Sequence, residues 1–442
     1  MARARRAPVR DRGARRALDR RIFALAVPAL GAIAAEPLYG LADTAVVGHL
    51  GRPQLDALAV AATLLSVLGW VTNFLTTVTT SAVAHGAGAG RPDRVGRAAG
   101  AALVVALPLG ILSGGLIAVF APELARLLGG TRSVGAATTY LRLSAPGLPF
   151  LLLSYAGAGH LTGLAKARTV LWIAVGANAA NLALEVLLVF GAGLGLRGSA
   201  LGTVAAQVLA AAAYLLVGRR QGAEGPQWPR LEEVRRLLHD GSKLAVRTIA
   251  LDLVPLGMTA VAARLGPVPL AGNQIAVRVW LLLALLLDGL AVPAQVFVSG
   301  ALGSDDGAGA VEVGRRTMEL GVFAGAAVGV LTVGAAFALP PLLSPDAAVQ
   351  AAARLALFVA AAGQPLASAA FVLDGLVLGL GDFAALRRAM LLALVEFAPL
   401  AVIGASVPGL GLVYLWVAYC TWLAARTVLL GWRWRRFTVS VA

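Results

Sequence analysis

The chain has 442 residues, of which 59% are hydrophobic and only 13% charged, about half the charged share of an average soluble domain. That composition cannot clothe a soluble protein of this length, and it points to a chain that lives in a lipid bilayer. A net charge of +15 would suit nucleic-acid binding, but nine arginines crowd between Arg3 and Arg21 and lead straight into an apolar stretch. A cytoplasmic tail looks like this under the positive-inside rule, so nucleic acid is not an expected partner. A lone Cys420 excludes an intrachain disulfide and a cysteine-based metal cluster.

In chain order, hydropathy and turn signals predict spans near 22–47, 57–84, 98–121, 139–162, 169–190 and 199–218. Each is long enough for the roughly 20 apolar residues that cross the hydrocarbon core. The first apolar stretch lacks a small-residue cleavage site, so it is expected to be a retained helix rather than a removable signal peptide. A polar connection at 219–242 holds Arg219, Arg220, Pro226, Pro229, Glu232, Glu233, Arg235 and Arg236. A second set follows near 243–265, 269–299, 318–339, 349–378, 384–405 and 410–432. The expectation is an all-α membrane protein of twelve transmembrane helices. Its parts are a basic tail (1–21), a first lobe (22–218), a connecting segment (219–242), a second lobe (243–432) and a short tail (433–442).

One side of that arrangement carries the N-terminal tail, Arg91/Arg94/Arg97, Lys166/Arg168, the 219–243 connection, Arg315/Arg316, Arg387/Arg388 and Arg433/Arg435/Arg436. The other carries Arg52, Arg126, Arg132, Arg197 and Arg264. Both termini are therefore expected in the cytoplasm, with the chain in the plasma membrane. The halves resemble each other. Val46-Val47-Gly48-His49-Leu50-Gly51 parallels Val261-Ala262-Ala263-Arg264-Leu265-Gly266, and Val95-Gly96-Arg97 parallels Val313-Gly314-Arg315. His85-Gly86-Ala87 sits against Ser299-Gly300-Ala301, and Gly163-Leu164 against Gly379-Leu380. Matches in one order at nearly constant spacing indicate a duplication. Six spans per repeat keep both halves in one orientation, related by a pseudo-twofold along the membrane normal, with a substrate path between them.

No G-x-x-x-x-G-K-[ST] is present, so the chain is not expected to be a nucleotide-driven pump, and no H-E-x-x-H or Cys/His cluster suggests an enzyme or a resident cofactor. The informative residues are charges inside spans, each costing about 2.5–3.5 kcal/mol or more to bury. Glu36 and Asp43 lie two turns apart on one face of the first span, about 10 Å from each other. Pro37 removes a backbone bond between them and Gly40 loosens the same turn. Asn178, Asn181 and Glu185 lie in the fifth span and Thr203 and Gln207 in the sixth, where 181/185 and 203/207 are i,i+4 neighbours. If these faces converge, they enclose a pocket that favours binding of a proton or a cation. The bland alternative has Glu36 or Glu185 near a helix end or paired with Arg142. The second half places Arg247, Asp252, Arg278, Asp288, Asp374 and Glu396 in spans. Opposite signs suggest the ion pairs Arg247–Asp252 and Arg278–Asp288, while Asp288-Gly289 and Asp374-Gly375 are candidates to line the cavity.

Ala26-Val27-Pro28 followed by Pro37-Leu38-x-Gly40-Leu41-x-Asp43-Thr44-Ala45-Val46-Val47-Gly48-His49-Leu50 resembles the first helix of the multidrug and toxic compound extrusion (MATE) transporters, in their DinF-like branch. The similarity continues through Asn181-x-x-x-Glu185, Gly198-x-Ala200-Leu201-x-Thr203, Leu287-Asp288-Gly289 and Leu373-Asp374-Gly375-x-x-x-Gly379. The resemblance implies two six-helix lobes and export of cationic or amphipathic compounds in exchange for protons or sodium. It places the coupling site on Asp43, Asn181, Glu185 and Thr203, with Glu36 where the family often has glutamine. Glu185 stands where the usual residue is an aspartate. Helix bending is expected at Pro28, Pro37 and Gly40, and a substrate cavity at Asn178, Gln207, Asp288, Asp374 and Arg247. The expected partners are a small-molecule substrate and the bilayer, and the protein is expected to be monomeric. A lipid-linked precursor flippase of related fold is the alternative, kept open by Arg247 and Arg278. A membrane enzyme acting on lipid would need a D-x-x-x-D or a His pair that is not evident.

Overall fold

The computed structural model describes residues 12–221, 224–407 and 409–441, leaving the side chains of 129–132 aside. The first eleven residues of the basic tail lie outside the described residues. Among those described there are helices and turns but no strand. The helices are α1 (Arg12–Gly48), α2 (Arg52–Thr72), α3 (Phe74–Gly88), α4 (Pro92–Ser144), α5 (Leu148–Gly163), α6 (Ala167–Val186) and α7 (Leu196–Arg219). They continue as α8 (Leu231–Leu265), α9 (Pro267–Asp288), α10 (Ala291–Gly303), α11 (Gly307–Leu343), α12 (Ala347–Gly379), α13 (Phe383–Ser406) and α14 (Gly411–Val441).

Eleven helical runs among the described residues are long and apolar enough to cross a membrane, and the twelfth crossing is hidden inside α4. Its 53 residues would reach about 80 Å if straight. Instead Arg142 Nε donates to the Ala118 carbonyl at 3.2 Å, 24 residues away. Ile117 and Ala121 pack with Tyr140 and Leu141, and Ala125 with Ala137. The run therefore doubles back between Ala125 and Ala137, and its return leg crosses with α5 through a 3₁₀ turn at Ala145–Gly147. Arg142 is thus a hairpin bond donor rather than the partner of Glu36 or Glu185.

Backbone geometry confirms the duplication more sharply than sequence identity does. Every positive-φ residue among those described has a counterpart 215 or 216 positions on: Gly51 with Gly266, Gly90 with Asp305, Ala165 with Gly381, Gly193 with Gly409, and Gly195 with Gly411. The left-handed region is costly for residues with a Cβ, so the same turns recur because both repeats break their helices at the same places. Helix packing repeats too. Gly159 and Gly163 of α5 approach α3 so closely that an added Cβ would lie 2.6 Å from the Thr76 carbonyl or 2.8 Å from that of Thr80. Gly375 and Gly379 of α12 meet Ala291 and Gln295 of α10 in the same way. Thr80 donates to the Gly159 carbonyl at 3.3 Å and Ser299 to that of Gly379 at 2.9 Å. In lipid, where apolar burial does not drive helices together, such small-residue seams hold a bundle.

The chain divides into two compact units, residues 31–242 and residues 1–30 with 243–442. α1 runs through Pro28 and Pro37 without interruption, and the division between units falls between those prolines. The prolines leave the carbonyls of Ala24 and Ile33 without their helical donors. Thr44 Oγ1 also bonds back to the Gly40 carbonyl at 2.7 Å, a competition that bends helices.

Three segment boundaries differ from expectation. α1 begins at Arg12 within the basic tail, α8 begins at Leu231 within the expected connection, and α14 runs to Val441 through the expected C-terminal tail. The remainder of the connection is a strap on the 31–242 unit. Gln227 N donates to the Gly96 carbonyl at 2.8 Å, His160 Nε2 donates to the Glu224 carbonyl at 2.9 Å, and Arg97 bonds Glu233 at 2.8 Å. Glu233 also accepts from the Arg230 N–H at 2.8 Å, closing the first turn of α8 as an N3 glutamate does in a capping box. An added Cβ at Gly100 would stand 1.7 Å from the Gln227 carbonyl oxygen. Gly100→Leu should therefore lift the strap and destabilise the protein by about 1–3 kcal/mol, seen as a lower melting temperature in detergent and faster tryptic cutting at Arg230. Unchanged melting and cutting would show that the strap bears no load.

In the other unit, Asp382 caps α13 by accepting from the Ala385 N–H at 3.0 Å, and Arg433 of α14 bonds its other oxygen at 2.6 Å. Partial burial pushes this carboxyl up, but the bonds from Arg433 and Ala385 hold it below its ordinary value. Its contribution is therefore present above the unfolded carboxylate value and lost as pH falls through the lower folded one. Asp382→Asn keeps the cap and removes the charge. It should cost about 0.5–1 kcal/mol at neutral pH and nothing in strong acid, measured by thermal unfolding at the two conditions.

Candidate functional site

Within the 31–242 unit, α1, α4, α6 and α7 bring Tyr39, Asp43, Tyr140, Asn181, Glu185, Ser199 and Thr203 together. α7 crosses α6 at close range because Gly198 and Gly202 face it. A Cβ on Gly202 would lie 3.1 Å from the Glu185 nitrogen, and one on Gly198 would lie 2.7 Å from the Leu188 carbonyl carbon. Just past this crossing α6 loosens into a π-turn at Leu187–Gly191, a distortion frequent at functional sites. Glu185 is fully buried there, and Asn181 and Asp43 are 5% and 8% exposed.

Ser199 Oγ donates to Asp43 Oδ1 at 2.9 Å. Tyr39 OH donates to Glu185 Oε2 at 3.2 Å and stands 3.4 Å from Thr203 Oγ1. The Asp43 and Glu185 carboxyls are immediate neighbours, and the Tyr140 hydroxyl lies beside Asp43, Ser199 and Thr203. Two oxygens, Glu185 Oε1 and Asn181 Oδ1, are buried without a hydrogen-bond partner among the described residues. An orphaned buried acceptor costs about 1–3 kcal/mol, a cost that an added proton or small cation at these oxygens would offset. The pocket's donor set of carboxylate, amide and hydroxyl oxygens suits a hard cation such as sodium. Among the described residues no group of three or more His, Cys, Asp or Glu side chains is arranged for a metal ion.

The structure thus unites Asp43, Asn181, Glu185 and Thr203. Glu36 is exposed, and among the described residues no hydrogen bond joins it to the cluster. Asn178 is half-buried. Gln207 packs against the α4–α5 break, where a Cβ on Gly147 would meet its Oε1 at 2.0 Å. The sequence analysis missed Tyr39, Tyr140 and Ser199. Ser199 was the legible one, since it lies one turn before Thr203 on the same face of α7.

The other unit carries a different cluster. Arg426 of α14, 1% exposed, donates to Asp374 Oδ2 of α12 at 2.6 Å, and Arg247 of α8 bonds the same oxygen. Asp288 of α9 is half-buried beside all three. The Arg426 guanidinium also stacks 4.7 Å from the Trp422 ring centroid and 5.9 Å from that of Phe371. The pairs expected from sequence do not form. Arg247 and Asp252 are five residues apart and point about 140° from each other around α8, so Asp374 from another helix reaches the arginine first. Arg278 and Asp288 are separated by about 15 Å along their helix, and Arg278 is exposed. Arg426, the centre of the cluster, was not singled out from the sequence.

A duplicated twelve-pass helical bundle that buries a carboxylate pair in one repeat and a balanced ion cluster in the other is the architecture of a membrane transporter. The family model MatE matches residues 28–187 and 244–403, one copy per repeat, and the chain belongs to this family, the MATE transporters. DNA damage-inducible protein F of Escherichia coli (strain K12) is 29% identical over 95% of this chain and 92% of its own. Protein DETOXIFICATION 44, chloroplastic, of Arabidopsis thaliana is 29% identical over 93% and 81%. A crystal structure of MATE in the bent conformation superposes with a TM-score of 0.89 over 96% of both chains at 20% identity, a likeness of fold.

Removing one member of a buried ion pair strands the other and costs about 3–5 kcal/mol. Asp374→Asn should therefore destabilise the protein by that order, whereas Asp374→Asn combined with Arg426→Met should recover much of the loss. Melting in detergent reads both, and a double variant no better than the single one would deny the coupling.

Proposed function

We propose that this MATE-family protein is a secondary active antiporter that exports small amphipathic, cationic compounds in exchange for protons, with sodium as the alternative coupling ion. The observation that carries this reading is the adjacent Asp43 and Glu185 carboxyls with two buried oxygens left unpartnered. Such a pair holds a cation when ionised and releases it when protonated, because the Coulombic attraction vanishes with the charge. Tyr39, Tyr140, Ser199 and Thr203 supply hydroxyls that turn to suit either state.

Proton uptake at Asp43 also bears on α1. Asp43 lies six residues beyond Pro37, and Thr44 already competes for the Gly40 carbonyl. A change at Asp43 is relayed to the stretch from Pro28 through Pro37 to Gly40, where α1 lacks part of its hydrogen bonding and bends most easily. Asn178 and Gln207 in one unit and Asp288, Asp374 and Arg247 in the other are candidates to face substrate. The arginine-rich connections support a plasma-membrane orientation with both termini in the cytoplasm, and the protein is proposed to act as a monomer. The flippase alternative rested on Arg247 and Arg278: Asp374 engages Arg247, which weakens it, while Arg278 stays exposed and keeps it open.

In proteoliposomes, wild-type protein is expected to move a fluorescent organic cation under an imposed pH gradient, and Asp43→Asn to fall to the rate of empty liposomes while still inserting. Efflux under a sodium gradient alone would reassign the coupling ion. pH-driven efflux that survives in Asp43→Asn would sink the mechanism.

A further inference from the structure

At the arginine-rich end of the second repeat, the start of α11 packs antiparallel to the end of α14. A Cβ on Gly307 would meet Val441 at 2.8 Å, and one on Gly314 would meet the Trp434 ring at 2.1 Å. α14 has 31 residues, about 46 Å of helix against a hydrocarbon core of about 30 Å. Part of it therefore overhangs the core, and its last turns, Trp432-Arg433-Trp434-Arg435-Arg436-Phe437, have the tryptophan and arginine content of a headgroup-level segment. Between the two helices lies an open groove of about 740 Å³, walled by Met318, Val322 and Trp434 and flanked by Arg315, Arg435 and Glu319.

The duplicated repeat shows what this groove lacks. At the 215-residue spacing of the repeat, where Gly110 and Gly114 of α4 match Gly325 and Gly329 of α11, Gly96-Arg97 corresponds to Val311-Glu312 and Gly100 to Arg315, so the sequence parallel of Val95-Gly96-Arg97 with Val313-Gly314-Arg315 is not the structural one. In the first repeat the strap covers Gly96, with Gly225 and Gln227 in contact, and Arg97 is neutralised by Asp93 at 3.0 Å and Glu233 at 2.8 Å. In the second repeat Ala308 stands where Asp93 would be, and Arg315 stands where the strap covers Gly100 in the first. Arg315 has only Glu319 at 3.9 Å, and that carboxylate is already held by Arg316 at 2.7 Å. Arg435 is exposed and also borders a neighbouring groove, where Arg436 lies 3.5 Å over the Trp432 ring. One repeat covers this surface with its strap, and the other leaves apolar walls beside Arg315, 3.9 Å from its one ion-pair partner among the described residues, and the exposed Arg435.

We infer that the α11–α14 groove is a binding site for an anionic phospholipid, its phosphate between Arg315 and Arg435 and an acyl chain along Met318, Val322 and Trp434. Basic pockets between helices at a membrane surface take such headgroups, and guanidinium forks match phosphate oxygens. The site rests on the membrane architecture and not on the antiport reading.

The test is native mass spectrometry of the full-length protein released from detergent with equal amounts of phosphatidylglycerol and phosphatidylcholine. Wild type is expected to retain phosphatidylglycerol, and Arg315→Gln/Arg435→Gln to weaken that binding about thirtyfold. Val311→Trp keeps both charges but fills the groove, and it should also lose the lipid. Arg235→Gln/Arg236→Gln removes two exposed arginines of α8 and should change nothing. Equal retention by the double variant, or phosphatidylcholine held as tightly as phosphatidylglycerol, would overturn the site. Displacement of the lipid by glycerol 3-phosphate at equal concentration would also overturn it, in favour of a free-phosphate site.

Discussion

The burial of Asp43 beside Glu185 is the constraint on which the rest of this molecule turns. In hydrocarbon each carboxylate is costly unless it is paired or protonated, and among the described residues neither of these carries an arginine or lysine partner. Four helices are shaped to hold them: α7 with glycines where it crosses α6, α6 with a π-turn just beyond, α4 with Tyr140, and α1 with prolines on the approach. An ordinary apolar core would need none of these devices. Their coincidence around two acidic groups distinguishes a site from a packing accident.

Duplication supplies the frame and divergence supplies the function. The turns and the glycine seams recur in both repeats at a spacing near 216 residues, yet the buried charges do not. Asp43 corresponds to no carboxylate in the second repeat, where Met258 stands at its position, and Asp374 corresponds to Ala158 in the first. The site in one repeat carries acids without a basic partner, and the cluster in the other carries two arginines against two aspartates. The first has no fixed counter-charge among the described residues. The second is locked by short bonds and by stacking on Trp422, as suits a fixed element of the bundle.

The same divergence is visible at the arginine-rich surface. The first repeat closes its helix ends with the strap, which threads Gly225 and Gln227 over Gly96 and Gly100 and neutralises Arg97. The second closes them with the overhang of α14, which seats Trp434 on Gly314 and leaves arginines facing a groove. A strap made of the protein's own chain and an open groove between α11 and α14 are two answers to one problem, the exposed backbone and charge at the foot of a long hairpin.

Composition, the positions of arginine and the repeated Gly-bearing turns determined, from sequence alone, a helical membrane protein in two repeats, because hydropathy and charge are properties each residue carries regardless of its neighbours. Local spacing likewise placed Asn181 with Glu185 on one face, since i and i+4 are adjacent on any helix. Only the tertiary structure decided which faces meet. It set Tyr39, Tyr140 and Ser199 around the carboxylates and left Glu36 outside the cluster. It gave Arg247 and Arg426 to Asp374 rather than to the acids nearest in sequence, and it folded α4 back on itself to make the twelfth crossing. The physical reason is that a charge in lipid seeks whichever partner packing brings within about 3 Å, and in a bundle that partner usually comes from another helix.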